Sequence, residues 1–202
     1  MGTFEQSFAA ARTDPERRTD FLRTLHEHAA ERERLAPYIK GIVYETRIPL
    51  ECLDRGALPL MRTDTPPLAR FHRPGSGSIV RVWPRAFDRL VHGNLDEFLS
   101  TLYDHEGWHA MEYCDRPEAI VEYMPAAYVQ QSQGLQRLAN ICLSKQTDEC
   151  ALLKIHSDIR AYGWQLQRIQ EGIRRVSDVF AQAIAREREL FLGWIRRSAP
   201  VA

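Results

Sequence analysis

The chain has 202 residues, 44% of them hydrophobic, with 27 Lys and Arg against 27 Asp and Glu and so no formal net charge. That suffices for one globular domain with a sizeable core, while the balanced charge argues against a chain built mainly to grip nucleic acid or an anionic membrane surface. No apolar stretch approaches the roughly 18 residues of a membrane span, and an N-terminus carrying Glu5 has no apolar core of secretory type, so a soluble, cytoplasmic protein with neither nucleic-acid nor membrane partners is expected.

The first 36 residues read as a helical segment. Asp14 and Pro15 mark a helix start with Glu16 behind them, and Phe21, Leu22, Leu25, Ala29 and Leu35 supply the buried stripe. His26 and His28 stand two apart, so they point to different faces and belong to a solvated surface. From 37 to 84 recurrent prolines forbid a long helix, and β-branched and aromatic runs take over. A strand is predicted within Gly41–Ile48, and a hairpin pairs Leu68–Arg73 with Ser78–Trp83 around Pro74-Gly-Ser-Gly. The alternation of Ile79, Arg81 and Trp83 with Val80 and Val82 reads as an edge strand of a small antiparallel sheet.

The part from 85 to 202 is helical again. Asn94 with Glu97 three residues on has capping-box spacing, and Leu95, Phe98, Leu99, Leu102 and Tyr103 form an apolar stripe of period near 3.6. Asp115-Arg-Pro-Glu118 starts a further helix, Thr147-Asp-Glu another reaching toward Val176, and Ser177-Asp178 a last amphipathic one. Pro125 and Gly163 are the weak points of this region. The four cysteines, Cys52, Cys114, Cys142 and Cys150, form no Cys-x-x-Cys pair and read as buried thiols. The whole is predicted to be a single α+β domain in which helix predominates.

Within the helix capped by Asn94 stands His105-Glu106-Gly107-Trp108-His109. Two histidines four apart share one helical face and can reach one metal ion, and a glutamate beside the first is placed to take a proton from a metal-activated water. His105 and His109 are therefore candidate ligands of Zn²⁺ and Glu106 a candidate general base. The motif sits among uncharged neighbours apart from Asp104, with Leu102 and Tyr103 before it and Ala110 and Met111 after it.

On these residues, the stretch from Ala69 to Gln130 resembles the zincin clan of zinc metallopeptidases: a hairpin, the HExxH helix, a turn near Cys114 and a second helix that returns a third ligand. The resemblance implies a zincin-like fold, a peptide or protein substrate held by its main chain along an edge strand, and hydrolysis of a peptide bond. Three acids compete for the third ligand position. Asp115 lies where metzincins place theirs, but Glu112 stands where those enzymes need glycine. Glu118 is accounted for by a capping box with Asp115. Glu122, in the apolar setting of Ala119, Ile120, Val121, Tyr123 and Met124, needs a partner for its charge, and it gives the His-His-Glu set of gluzincins, so it is the favoured ligand; the second acid those enzymes carry shortly afterwards is absent, since Pro125 and Ala126 stand there. A donor for the developing oxyanion is sought in Ile155-His-Ser-Asp-Ile-Arg-Ala-Tyr-Gly163, with His156 as the candidate beside Arg160 and Tyr162. Two rival readings are a di-iron bundle, for which no second Glu-x-x-His pair exists in the sequence, and a non-catalytic helical scaffold in which the motif is incidental.

Overall fold

Asp14 and Pro15 divide the N-terminal region into two helices: α1 (Gly2–Thr13) precedes them and α2 (Arg17–Ala29) follows. The Asp14 carboxylate accepts the Glu16 N–H at 3.0 Å, turning the chain between the two. A computed structural model describes residues 2–47, 69–72, 79–112 and 148–198 of the chain. Among these residues the protein is an α+β structure dominated by helix, with one small sheet, and no helix is long and apolar enough to cross a membrane.

The expected hairpin is present. β2 (Ala69–His72) runs antiparallel to β3 (Ile79–Val82), with Ala69 opposite Val82 and His72 opposite Ile79. The sheet as a whole is not antiparallel, however, because β1 (Gly41–Tyr44) pairs with the other side of β3 in parallel, Gly41 opposite Ile79 and Tyr44 opposite Val82. The order β1-β3-β2 also makes β3 the central strand and not an edge. Its alternation has another cause: Val80 and Val82 are wholly buried against the core while Ile79 and Arg81 lie on the half-covered face, where Arg81 meets Glu45 at 3.4 Å.

The core is aromatic at its centre. Phe8 from α1, Phe21 from α2, Phe87 from the 3₁₀ turn Pro84–Phe87 and Phe98 from α3 (Leu95–Leu99) stack with ring centroids 4.9–6.2 Å apart, in the offset and edge-on geometries such rings prefer. Val80, Val82, Leu102, Tyr103 and Ala110 extend it toward the sheet and along the HExxH helix.

That helix is continuous but not uniform. α3 begins at Asn94, whose side-chain oxygen accepts the Glu97 N–H at 2.9 Å. It then passes through a π-helical stretch (Ser100–His105), where the Glu106 N–H reaches back to the Thr101 carbonyl, into α4 (Glu106–Ala110). Glu97 does more than complete a capping box. Its buried carboxylate accepts the Gly93 N–H together with the Ser177 N–H at 2.9 Å and the Ser177 hydroxyl at 2.6 Å, fastening the start of the last helix to the start of this one.

Two long helices complete the described fold, α5 (Asp148–Gln170) and α6 (Asp178–Ser198), packed along one another. Gly163 does not break α5; a Cβ there would lie 3.5 Å from Arg188 Nε, so the residue lies against the α6 side. Gly172, with φ of 71°, ends α5 by letting the Ile173 N–H return to Arg168 O at 3.1 Å and its own N–H to Ile169 O at 3.0 Å. The reversal delivers Arg174 to a buried site, where it meets Asp104 through Nε at 2.8 Å and Nη2 at 3.1 Å and Glu33 through Nη1 at 2.9 Å. Arg168 closes the cluster at 3.4 Å from Asp104 and 3.6 Å from Glu33. The segment after α2, the HExxH helix and the turn after α5 are thus locked together immediately before His105.

Candidate metal centre

His105 and His109 project from one side of the HExxH helix toward α5. Their Nε2 atoms lie 3.2 Å apart, and Asp158 Oδ1, from α5, lies 3.1 Å from His109 Nε2 and 3.5 Å from His105 Nε2. One ligand atom from each of the three residues falls within 4.8 Å of the others, so the group could hold a metal ion. The side chains are partly buried, 12% exposed for each histidine and 22% for Asp158, so the cluster is shielded while keeping a route to solvent.

The other nitrogens of the rings determine what the cluster can bind. His109 Nδ1 lies 2.7 Å from Ser157 Oγ, and that hydroxyl donates its one proton to Glu112 Oε2 at 2.6 Å. Glu112 is wholly buried and bonded through its other oxygen to Arg160 Nε. A hydroxyl has a single proton, so Ser157 must accept from His109, which places a proton on Nδ1. His105 Nδ1 faces Gln165 Oε1 at 3.1 Å, while the amide nitrogen of Gln165 donates to Ser100 Oγ at 3.2 Å. An amide oxygen accepts only, so His105 too carries its proton on Nδ1. Both Nε2 lone pairs and a carboxylate oxygen then converge. Three acceptors at this separation repel unless a cation lies among them, and a proton or a metal ion meets that need. The electrostatics agree. Burial opposes charge on His109, yet the hydrogen bond and charge of Asp158, with Glu106 and Glu112 behind, outweigh it and raise the imidazole above its ordinary value. Burial likewise opposes ionisation of Asp158, and hydrogen bonds from His105 and His109, once a proton has been added at Nε2, reverse this and hold the carboxyl well below the usual range.

Glu106 is buried, at 6% exposure, and its charge is felt at both His109 and Tyr162. Gly107 between them is required by packing: a Cβ there would lie 2.9 Å from Leu35 Cβ, closer than two such atoms approach. The HExxH helix therefore rests directly on the segment after α2. Tyr162, one turn beyond Asp158 on the same face of α5, sets its ring 4.5 Å from that of His105 and stacks at 6.1 Å on Phe191 of α6. Burial, followed by the charges of Asp158, Glu187 and Glu106, keeps its hydroxyl protonated far into the alkaline range.

Of the residues expected from sequence, His105 and His109 come together and Glu106 lies beside them. Glu122, Glu118 and Asp115 lie outside the described residues, as do Cys52, Cys114 and Cys142. His156 stands two positions before Asp158, about 200° around the helix from it, and does not join the group; burial and then the charge of Arg160 lower its pKa. The carboxylate that does join, Asp158, sits in the same short stretch as His156. The argument applied to Glu122 applies equally to it, since Ile155, Ile159 and Ala161 around it are buried and a carboxylate among them needs a partner. No family model, curated protein or solved structure matches this chain.

Proposed function

We propose that the protein is a zinc-dependent hydrolase acting on a peptide bond, with His105, His109 and Asp158 as the protein ligands. The observation that carries the reading is the convergence of two imidazole nitrogens from an HExxH helix with one carboxylate oxygen from α5, each ring bonded through Nδ1 so that Nε2 faces the group. Two nitrogens and one carboxylate oxygen suit zinc and leave a coordination position for water, the donor pattern of catalytic and not structural zinc sites. Zinc bound there would supply Lewis acidity toward a carbonyl and toward water.

The chain's own residues account for the rest of the chemistry. Glu106 takes the proton of the attacking water and returns it to the leaving amine. Tyr162, kept protonated beside His105, donates to the oxygen on which charge develops, the part expected above of His156. Among the described residues β2 is an outer strand adjoining α4, and an extended substrate would take main-chain hydrogen bonds along the side turned away from β3. A peptide or protein is the substrate class this geometry favours.

Metal analysis of the purified protein after zinc exchange tests the reading. One zinc per chain is expected, lost in His105→Ala, His109→Ala and Asp158→Ala. Glu106→Gln should keep the metal while peptide hydrolysis falls by roughly two to four orders of magnitude, the usual worth of acid–base catalysis. Wild-type protein that takes up no zinc defeats the proposal, and zinc lost in Glu122→Gln but kept in Asp158→Ala would transfer the third position to Glu122.

A further inference from the structure

Glu112 is a wholly buried carboxylate three residues past His109, and the hydrolytic reaction gives it no part. It spans the same two helices as the metal ligands, accepting from Ser157 Oγ and from Arg160 Nε on α5. We infer that Glu112, acting through Ser157, is a positioning residue that selects the metal-binding tautomer of His109. The inference deepens the zinc reading and rests on it for its purpose, though not for its test.

The argument follows the direction of each proton. Arg160 can only donate, so it fixes one oxygen of Glu112 as an acceptor. The second oxygen, also an acceptor, draws the Ser157 proton, which compels Ser157 to accept from His109 Nδ1–H. Without this chain the opposite arrangement competes: Nε2 can carry the proton and donate it to Asp158, 3.1 Å away, which leaves that nitrogen no lone pair for a metal. His105 has a weaker counterpart, a neutral amide at 3.1 Å relayed to Ser100. The control of His109 is therefore the stricter of the two, a charged acceptor acting through a buried hydroxyl with no water needed between them.

Exchange of one atom should reverse this selection. In Glu112→Gln the amide oxygen must stay on Arg160, because the guanidinium cannot accept, and the amide NH₂ turns toward Ser157. Ser157 then accepts from Gln and gives its own proton to His109 Nδ1, which must be bare, so the proton moves to Nε2. Ser157→Ala removes the relay without reversing it. The tautomer is read directly from the ¹⁵N shifts of the two ring nitrogens in metal-free protein at alkaline pH, where each imidazole carries a single proton. Zinc affinity is measured in parallel by competition with a chromophoric chelator.

Wild-type His109 is expected as the Nδ1–H form, Glu112→Gln as the Nε2–H form and Ser157→Ala as a mixture. Zinc affinity should fall in both variants by about 10–100-fold, the usual effect of removing an outer partner of a ligating histidine, and further in Glu112→Gln than in Ser157→Ala. His109 remaining Nδ1–H in Glu112→Gln overturns the inference, whatever happens to zinc, and so does an inverted tautomer with unchanged affinity. Should Glu112→Gln not fold, Ser157→Ala decides alone: an unmixed Nδ1–H ring there refutes the relay. If wild-type protein binds no zinc, the hydrolase reading fails while the tautomer measurement still decides this one.

Discussion

Replacing Arg174 with Met removes the buried cation on which the HExxH helix is anchored while keeping a side chain of similar length. In the wild type, Arg174 and Asp104 are each 3% exposed and Glu33 is 11% exposed. Burial would lower the Arg174 pKa, but the hydrogen bonds to Asp104 and then Glu33 raise it, as expected of a cation held between two anions. Burial drives the Asp104 carboxyl upward against the pull of Arg174 and Arg168; with two guanidinium nitrogens at 2.8 and 3.1 Å, the bidentate geometry is that of an ion pair, and we take the pair as charged. Removing one partner of such a pair costs about 3–5 kcal/mol, because the other is left buried and uncompensated. Here Arg168 stays at 3.4 Å from Asp104 and 3.6 Å from Glu33, which places the expectation at the lower end, about 3 kcal/mol. For a chain of this size 1 kcal/mol moves the melting temperature by about 2–4 °C, so a drop of about 6–12 °C is expected in a thermal melt followed by circular dichroism. The quadruple variant Arg174→Met, Arg168→Met, Asp104→Leu, Glu33→Leu should recover most of it, since replacing all four members leaves no orphaned charge. A single variant melting within about 2 °C of wild type would show that the cluster is solvated enough to lose its cation at no cost, and the reasoning would fail.

Gly107→Ala should lower stability by about 1 kcal/mol in denaturant titrations, because the overpacking against Leu35 exceeds what alanine returns in helix propensity; a gain in stability would show that the segment carrying Leu35 yields. His92, wholly buried between Ala86 O at 2.7 Å and Thr101 Oγ1 at 2.8 Å, has its pKa lowered by burial. Its folded form therefore refuses a proton that the unfolded chain takes up near pH 6.5, so stability is full above that value and falls as pH drops below it, by about 1 kcal/mol over the first unit. His26 and His156 are shifted in the same direction and His109 in the opposite one, so the test is the difference between wild type and His92→Gln. Parallel stability curves for the two from pH 7.5 to 5.5 would refute the assignment, an effect of about 1 kcal/mol being expected.

Local signals in the sequence proved sufficient where the physics is local. Asn94 and Ser177 cap helices as their chemistry requires, and the Leu95–Tyr103 stripe and HExxH spacing put His105 and His109 on one face. The antiparallel pairing of β2 with β3 was legible from the Pro-Gly-Ser-Gly signal that separates the two runs in the sequence. The pairing of β1 with β3 was not legible, because alternating burial describes a strand's two faces and says nothing of which neighbour lies on either side. The third member of the metal group was hidden for a related reason. Asp158 and its neighbour Ser157 reach the histidines only through tertiary packing, and no periodicity links them to the motif. Glu112, read only as a missing glycine, is legible once Ser157 and Arg160 are known to face it. The π-helical stretch has no sequence signal that we identify.

The distance along the chain between the two halves of the metal group gives the site a mechanical meaning. His109 and Ser157, in contact, are 48 positions apart, so an ion shared by His105, His109 and Asp158 would be a reversible cross-link closing a loop of about 50 residues. Closing a loop of that length permanently restricts an unfolded chain by about 4 kcal/mol in the chain-entropy model. With an ion bound there, a chelator would act as a pair of scissors on the tertiary fold, loosening α5 from the HExxH helix while leaving the Asn94 cap intact, and the aromatic cluster around Phe98, which includes no described residue of α5, would be the part that endures.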